Sequence, residues 1–203
     1  MNAGEVRQRT ALQPLLFFEK GAMSFLDKEI RPDVLQQILF ATSSCSWLGK
    51  WKLLCVVDRA NRVRVVEAWQ EGLRKIGQRK AVEFINRWRI APLLVVFCQP
   101  KQFEPFQFVP ADFVRTFSIQ EVGGAVRSLE LMALTYGIGL HGIMGVLVPQ
   151  VGEPIKEILR IPDDYEIVYF GVIGYAGEEV DQKFPALRDF CYAEEWGNPI
   201  TPL

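Results

Sequence analysis

The residues with the clearest chemical potential here are glycines. From Gly137 to Val148 the chain reads GIGLHGIMGVLV, with glycine at 137, 139, 142 and 145. Side chains missing at that rhythm leave backbone N–H and C=O groups bare. Two readings follow: a buried glycine-rich strand, or a strand whose exposed amides face a planar cofactor. His141 sits inside this run and is the only histidine; both a packed and a catalytic role are compatible with that position. Hydroxyls form a second group. Ser43, Ser44 and Ser46 crowd the segment SSCSWLGKW (43–51), just before WKLLCVVD (51–58). Such serines are either turn formers or a cradle for a phosphate or a polar ring edge. Lys20, beside Glu19, is read as a solvated surface charge. Cys45, Cys55, Cys98 and Cys191 are far apart, with no CxxC and no histidine beside them, which argues against a metal site. Reduced thiols of a cytoplasmic protein are the expectation.

Chemistry of this kind needs a scaffold, and the bulk numbers supply one. The chain has 203 residues, 49% hydrophobic and 23% charged, with a formal net charge of −1. That is one globular domain with a sizeable core. Interleaved charges give no electrostatic case for nucleic acid. No apolar run reaches the roughly 18 residues of a spanning helix, and MNAGEVRQRT lacks the apolar stretch of a secretory signal. We expect no membrane partner.

The elements that must hold the glycines and serines are legible in outline. Residues 1–14 are polar and read as an N-terminal arm. Arg31-Pro32-Asp33 and VLQQILFAT give a turn and a helix with Val34, Leu35, Ile38 and Leu39 on its apolar stripe. Residues 59–89 are helical in tendency, with Val63, Val66, Trp69, Leu73 and Ile76 on one stripe; Phe84, Ile85 and Trp88 start another. The arginines and lysines of this half, Lys80 among them, form a basic solvated face suited to an anionic nucleotide. APLLVVFCQP (91–100) is a continuous apolar strand, as expected for one buried on both faces. KQFEPFQFVPADFVRTF (101–117) reads as an aromatic loop, whose Phe103, Phe106, Phe108 and Phe113 either roof a pocket or bury against a second subunit. From Ile119 a helix carries Val122, Ala125, Val126, Leu129, Met132, Ala133 and Tyr136 at helical spacing and stops at Gly137. Gly123 and Gly124 near its start cost about 1 kcal/mol each relative to Ala and let a backbone or flat ligand approach. A strand, YEIVYFGVIGYAG (165–177), and a long C-terminal arm (178–203) close the chain. Alternating strands and helices give an α+β fold, an α/β sandwich around one central mixed sheet of four to five strands. No GxGxxG follows a strand and no GxxxxGK[ST] occurs, so dinucleotide and P-loop folds are not expected.

In that order the pieces resemble the nitroreductase family of FMN-dependent oxidoreductases, from Phe18 to Trp196. EKGAMSFLDKEIRPDVLQQIL stands where the family has its basic, serine-containing opening. ATSSCSWLGKWKLLCVVD stands for its Ala-Pro-Ser…Asn-x-Gln-Pro-Trp loop. GGAVRSLELMALTYGIGLHGIMG stands for its helix, glycine turn and flavin-facing strand, and VYFGVIGYAG, QKFPALRDF and YAEEWG for its closing pieces. Against that pattern Glu19 replaces an Arg, Gly21 a serine, Met23 a basic residue, Trp47 the Asn and Gly49 the Gln; Ser44 and Trp51 are kept.

The resemblance implies a single domain over 1–203 and a homodimer with an exchanged C-terminal arm. It implies FMN held by Lys20, Ser44, Trp47, Ile143, Met144, Gly145 and Lys183. The Gly145 amide would point at the flavin N5, with Ile143 and Met144 lining the ring and Lys20 and Lys183 the phosphate cations. The activity implied is hydride transfer from NAD(P)H through flavin to a small nitro- or quinone-like acceptor. No side chain is given a catalytic role. The replaced residues leave a second expectation, a divergent dimer that binds flavin weakly or takes another ligand.

Overall fold

A computed structural model describes residues 20–143, 145–181 and 189–198. The N-terminal arm lies outside these residues, as do Met144 and, in the C-terminal arm, residues 182–188 (Lys183 among them) and 199–203. The chain order is β1 (Lys20–Phe25), α1 (Pro32–Ala41), β2 (Lys52–Val56), α2 (Arg59–Lys75) and α3 (Arg79–Ile85). It continues with β3 (Leu93–Pro100), α4 (Ala111–Leu134), β4 (Ile138–Ile143), α5 (Pro149–Leu159) and β5 (Tyr165–Asp181). Short 3-10 turns follow α1 (Thr42–Cys45), α3 (Asn86–Trp88) and β4 (Gly145–Leu147).

Seventeen-residue β5 is the spine of the sheet. Its first half lies between β3 and β4, and its far end pairs with β1; β2 adds to the other edge of β3. All four ladders are antiparallel, which corrects the expected mixed sheet. Helical connections do join strands that run the same way, such as β3 and β4 through α4. But β5 is inserted between those two, so no two hydrogen-bonded neighbours run in the same direction.

Alternation along β3 splits the core in two, since successive side chains point to opposite faces. Leu94, Val96 and Cys98 join Val65, Val66, Trp69, Val151 and Ile155 of α2 and α5. Leu93, Val95 and Phe97 join Val34, Ile38, Val122, Ala125 and Leu129 of α1 and α4. The expected strand over 91–100 is thus buried on both faces.

Local chemistry fixes the helix ends. Asp58 caps α2, accepting the Asn61 N–H at 2.8 Å, and Pro149 begins α5, where its missing N–H costs nothing. Gly137 takes φ +68° after α4, as the expected stop requires. That helix starts at Ala111 rather than near Ile119, so Phe113 and Phe117 lie on it and not in a loop. Two glycines allow close approaches around α5: Gly72 of α2 to its first turn, and Gly152 of α5 to the 3-10 turn before it. A Cβ on Gly72 would lie 2.5 Å from the Gln150 carbonyl oxygen, and one on Gly152 2.5 Å from that of Val146. Among the described residues no helix is long and apolar enough to cross a membrane.

Candidate functional site

Where β4 ends at Ile143, the chain turns at Gly145 beneath α2 and α3. Trp69 and Leu73, one turn apart on α2, line a cleft of about 370 Å³ together with Ala81, Ile85 and Trp88, with Lys80 also in its lining. That volume is at the lower end of ligand pockets, which run about 300–1,000 Å³. The walls are apolar apart from the exposed Lys80, the bare backbone of Gly145 and one indole nitrogen. Trp69 is 2% exposed, and its Nε1 has no hydrogen-bond partner.

Aromatic contacts lock this wall. Trp69 stacks on Trp88 at 5.5 Å and 27°, and meets Phe170 edge-on at 5.5 Å. Trp88 in turn packs against His141, whose Nδ1–H donates to the Ala22 carbonyl at 3.1 Å. Burial lowers the His141 pKa below its ordinary value, opposed by that hydrogen bond. The imidazole is thereby a packed link between β4, β1 and Trp88 rather than a free acid or base.

The glycine rhythm has two different causes. Gly139 stands opposite Gly174 and Gly142 opposite Gly171 in the β4–β5 ladder. A Cβ on Gly139 would meet the Ala22 Cβ at 2.7 Å, and one on Gly142 the Tyr169 hydroxyl at 2.6 Å. Packing against these neighbours accounts for glycine at both positions. Gly145 differs. It begins the turn after the strand, not a strand position as expected, and a Cβ there would make only ordinary contacts, 3.8 Å from Trp69 Nε1 and 3.9 Å from Leu73 Cδ2.

The remaining expected site residues are not gathered here. Lys20 opens β1 opposite Asp181; Met144 and Lys183 lie outside the described residues. Ser44 and Trp47 belong to the other face of the sheet. The Ser44 hydroxyl donates to the Ala41 carbonyl at 2.9 Å, and Trp47 is 79% exposed, meeting Phe106 edge-on at 6.4 Å. Their loop is pinned to α4: the Leu48 N–H donates to the Glu121 carboxylate at 2.6 Å. Gly124 serves this contact, since a Cβ there would come within 3.2 Å of Cys45 Sγ. Gly49 takes φ +63°. Around Trp47 the surface is aromatic, with Phe108 89%, Phe113 61% and Phe117 45% exposed. No cluster of three or more metal-ligating side chains occurs among the described residues.

Ile143 and Gly145, both expected to face a cofactor, line this cleft together with residues the sequence does not single out for a site. Trp69, Leu73 and Trp88 carried only the signal of core stripes, and only the fold shows that they face a void. Lys80 was legible as part of the basic face.

A sequence profile described as the nitroreductase family matches residues 24–175. No curated protein sequence matches the chain. Among solved structures, the nitroreductase-like family protein from Bacillus cereus superposes with a TM-score of 0.70 at 16% identity, covering 91% of this chain and 96% of that one. The FMN-dependent nitroreductase from Clostridium difficile R20291 gives 0.65 at 19% identity, covering 87% and 95%. The NADPH:FMN oxidoreductase from Vibrio harveyi, complexed with NAD+, gives 0.68 at 16% identity, covering 91% and 77%. At such identities the likeness shows the fold.

Proposed function

We propose, since the chain belongs to the nitroreductase family, that it is an FMN-dependent oxidoreductase passing hydride from NAD(P)H to a small nitro- or quinone-like acceptor. The observation that carries this reading is the cleft at the end of β4, where Gly145 leaves backbone uncovered against apolar walls. A flat tricyclic ring fits such a surface: its carbons suit Leu73, Ala81, Ile85 and Ile143, and its polar edge suits the backbone at Gly145 and the unpartnered Trp69 Nε1. Lys20 and Lys183 are the cations proposed for the phosphate.

Bound flavin would supply the redox chemistry. The chain's own part is to bind, orient and dry the site. Ile143, Leu73 and Ile85 exclude water; Gly145 leaves room for the ring; Trp88 holds Trp69 in place. No proton transfer falls to His141, which is committed to Ala22 and Trp88.

The working form we propose is a cytoplasmic homodimer. Ser44 and Trp47 lie on the opposite face from Gly145, so one chain cannot place all the expected contacts around one ring. The exposed Phe108, Phe113 and Phe117 offer the apolar surface that a second copy would cover. A second reading, a divergent dimer binding flavin weakly or taking another ligand, is favoured by Ser44, whose hydroxyl donates to its own helix. Anaerobic addition of NADH or NADPH to the FMN-loaded protein separates them. Bleaching of the flavin absorbance is expected for the oxidoreductase; a loaded protein that neither nucleotide bleaches favours the second reading.

A further inference from the structure

Buried donors without partners are rare in folded proteins and call for an explanation. Among the described residues, the buried side-chain atoms without a partner belong to Trp51, Arg62, Trp69, Gln99, Ser118 and Glu121. Of these residues, Trp69 alone lines the cleft at Gly145. Its indole cannot turn away to find an acceptor, because Trp88 stacks on one side at 5.5 Å and Phe170 abuts it edge-on at 5.5 Å. Gly145 lies beside the nitrogen and adds no side chain there: a Cβ would make only ordinary contact, 3.8 Å from Nε1, so no side chain of residue 145 stands between the indole edge and the cleft.

We infer that the Trp69 indole N–H is the donor that reads the ligand's polar edge. The cleft then selects a flat, mostly apolar ring carrying an unprotonated acceptor on its rim. It discriminates against the same ring lacking one, because the donor would stay unpaired. Lys80, exposed in the cleft's lining and without an ion-pair partner among the described residues, leaves the cleft open to anionic substituents. This inference rests on the flavin reading above, in that the flavin ring is the ligand meant.

The test uses lumiflavin, which has the ring and its acceptors but no phosphate, beside FMN. Saturable quenching of flavin fluorescence is measured for the intact chain and for Trp69→Phe, which keeps an aromatic wall and loses the N–H. We expect about tenfold weaker binding of both flavins by Trp69→Phe, measured below its lowered melting temperature, since the smaller ring leaves a cavity in the core. In the intact chain labelled with ¹⁵N at its indoles, one solvent-protected indole N–H should move downfield on adding lumiflavin. That resonance is assigned by elimination with Trp51→Phe and Trp88→Phe, so the measurement stands even if Trp69→Phe does not fold. Equal affinity in Trp69→Phe, or no indole shift at saturation, overturns the inference and leaves the flavin reading intact. An intact chain that takes up neither flavin overturns both.

Discussion

The rings of Trp88 and His141 lie 4.6 Å apart, centroid to centroid, at an angle of 38°. This contact ties the wall of the cleft to the glycine-rich strand, in a buried setting that disfavours the charged imidazole. Burial lowers the His141 pKa from 6.5, with the Ala22 hydrogen bond opposing it. With the folded value below the unfolded one, the unfolded chain binds the proton first as pH falls. The histidine's contribution is therefore complete above about pH 7 and declines as pH drops below 6.5. Melting temperatures between pH 7.5 and 5.5 should show this fall, and His141→Phe should flatten that component. An identical pH dependence in both proteins would remove His141 from the account.

The glycines of β4 should respond to an added methyl according to their neighbours. Gly139→Ala places a Cβ 2.7 Å from that of Ala22 and should cost about 1–3 kcal/mol by overpacking. Gly72→Ala, aimed at the Gln150 carbonyl between α2 and α5, should cost a similar amount. Gly145→Ala should change stability by less than about 1 kcal/mol. Urea denaturation of the three variants checks the ranking.

Much of this fold could be read beforehand. The β3 run from Leu93 to Gln99 and the α4 stripe of Val122, Ala125, Leu129 and Ala133 are periodic signals that need no partner to be recognised. What could not be read came from contacts distant in sequence. Gly139 and Gly142 look alike to Gly145 along the chain, but Ala22 and Tyr169 fill the space beside the first two. Likewise, insertion of β5 between β3 and β4 is a matter of pairing, so the sheet was expected to be mixed and is antiparallel. The start of α4 was missed because Pro110 and the phenylalanines around it have loop-like composition, although Pro fits the position just before a helix.

Thiol reactivity should follow burial. Desolvation pushes Cys98 up to about 12, despite nearby Lys156, and Cys55 up to about 11. At pH 8 this leaves about one thiolate in ten thousand at Cys98 and one in a thousand at Cys55. Iodoacetamide followed by peptide mass mapping should find both unlabelled in the native chain and labelled after denaturation. Rapid native labelling of Cys98 would contradict the buried placement of β3.

The aromatic surface on α4 bears on assembly. If Phe113 and Phe117 meet a second copy, replacing both with serine removes apolar area worth about 25 cal/mol per Å² without touching the buried stripe. Sedimentation equilibrium should show a dimer for the unchanged chain and a shift to monomer for the double variant. A monomeric unchanged chain would rule out the proposed assembly.

Gly145 offers the most direct test of the cleft as the flavin site. A Cβ at position 145 makes ordinary contacts with Trp69 and Leu73, and the γ-methyls of Gly145→Val take up space in the cleft beside it. FMN is titrated against the intact and the Gly145→Val chains, following flavin fluorescence, with folding verified by circular dichroism. Saturable quenching by the intact chain is expected, with at least a hundredfold weaker binding by a folded Gly145→Val chain. Equal FMN affinity in a folded Gly145→Val chain would contradict the cleft as the flavin site.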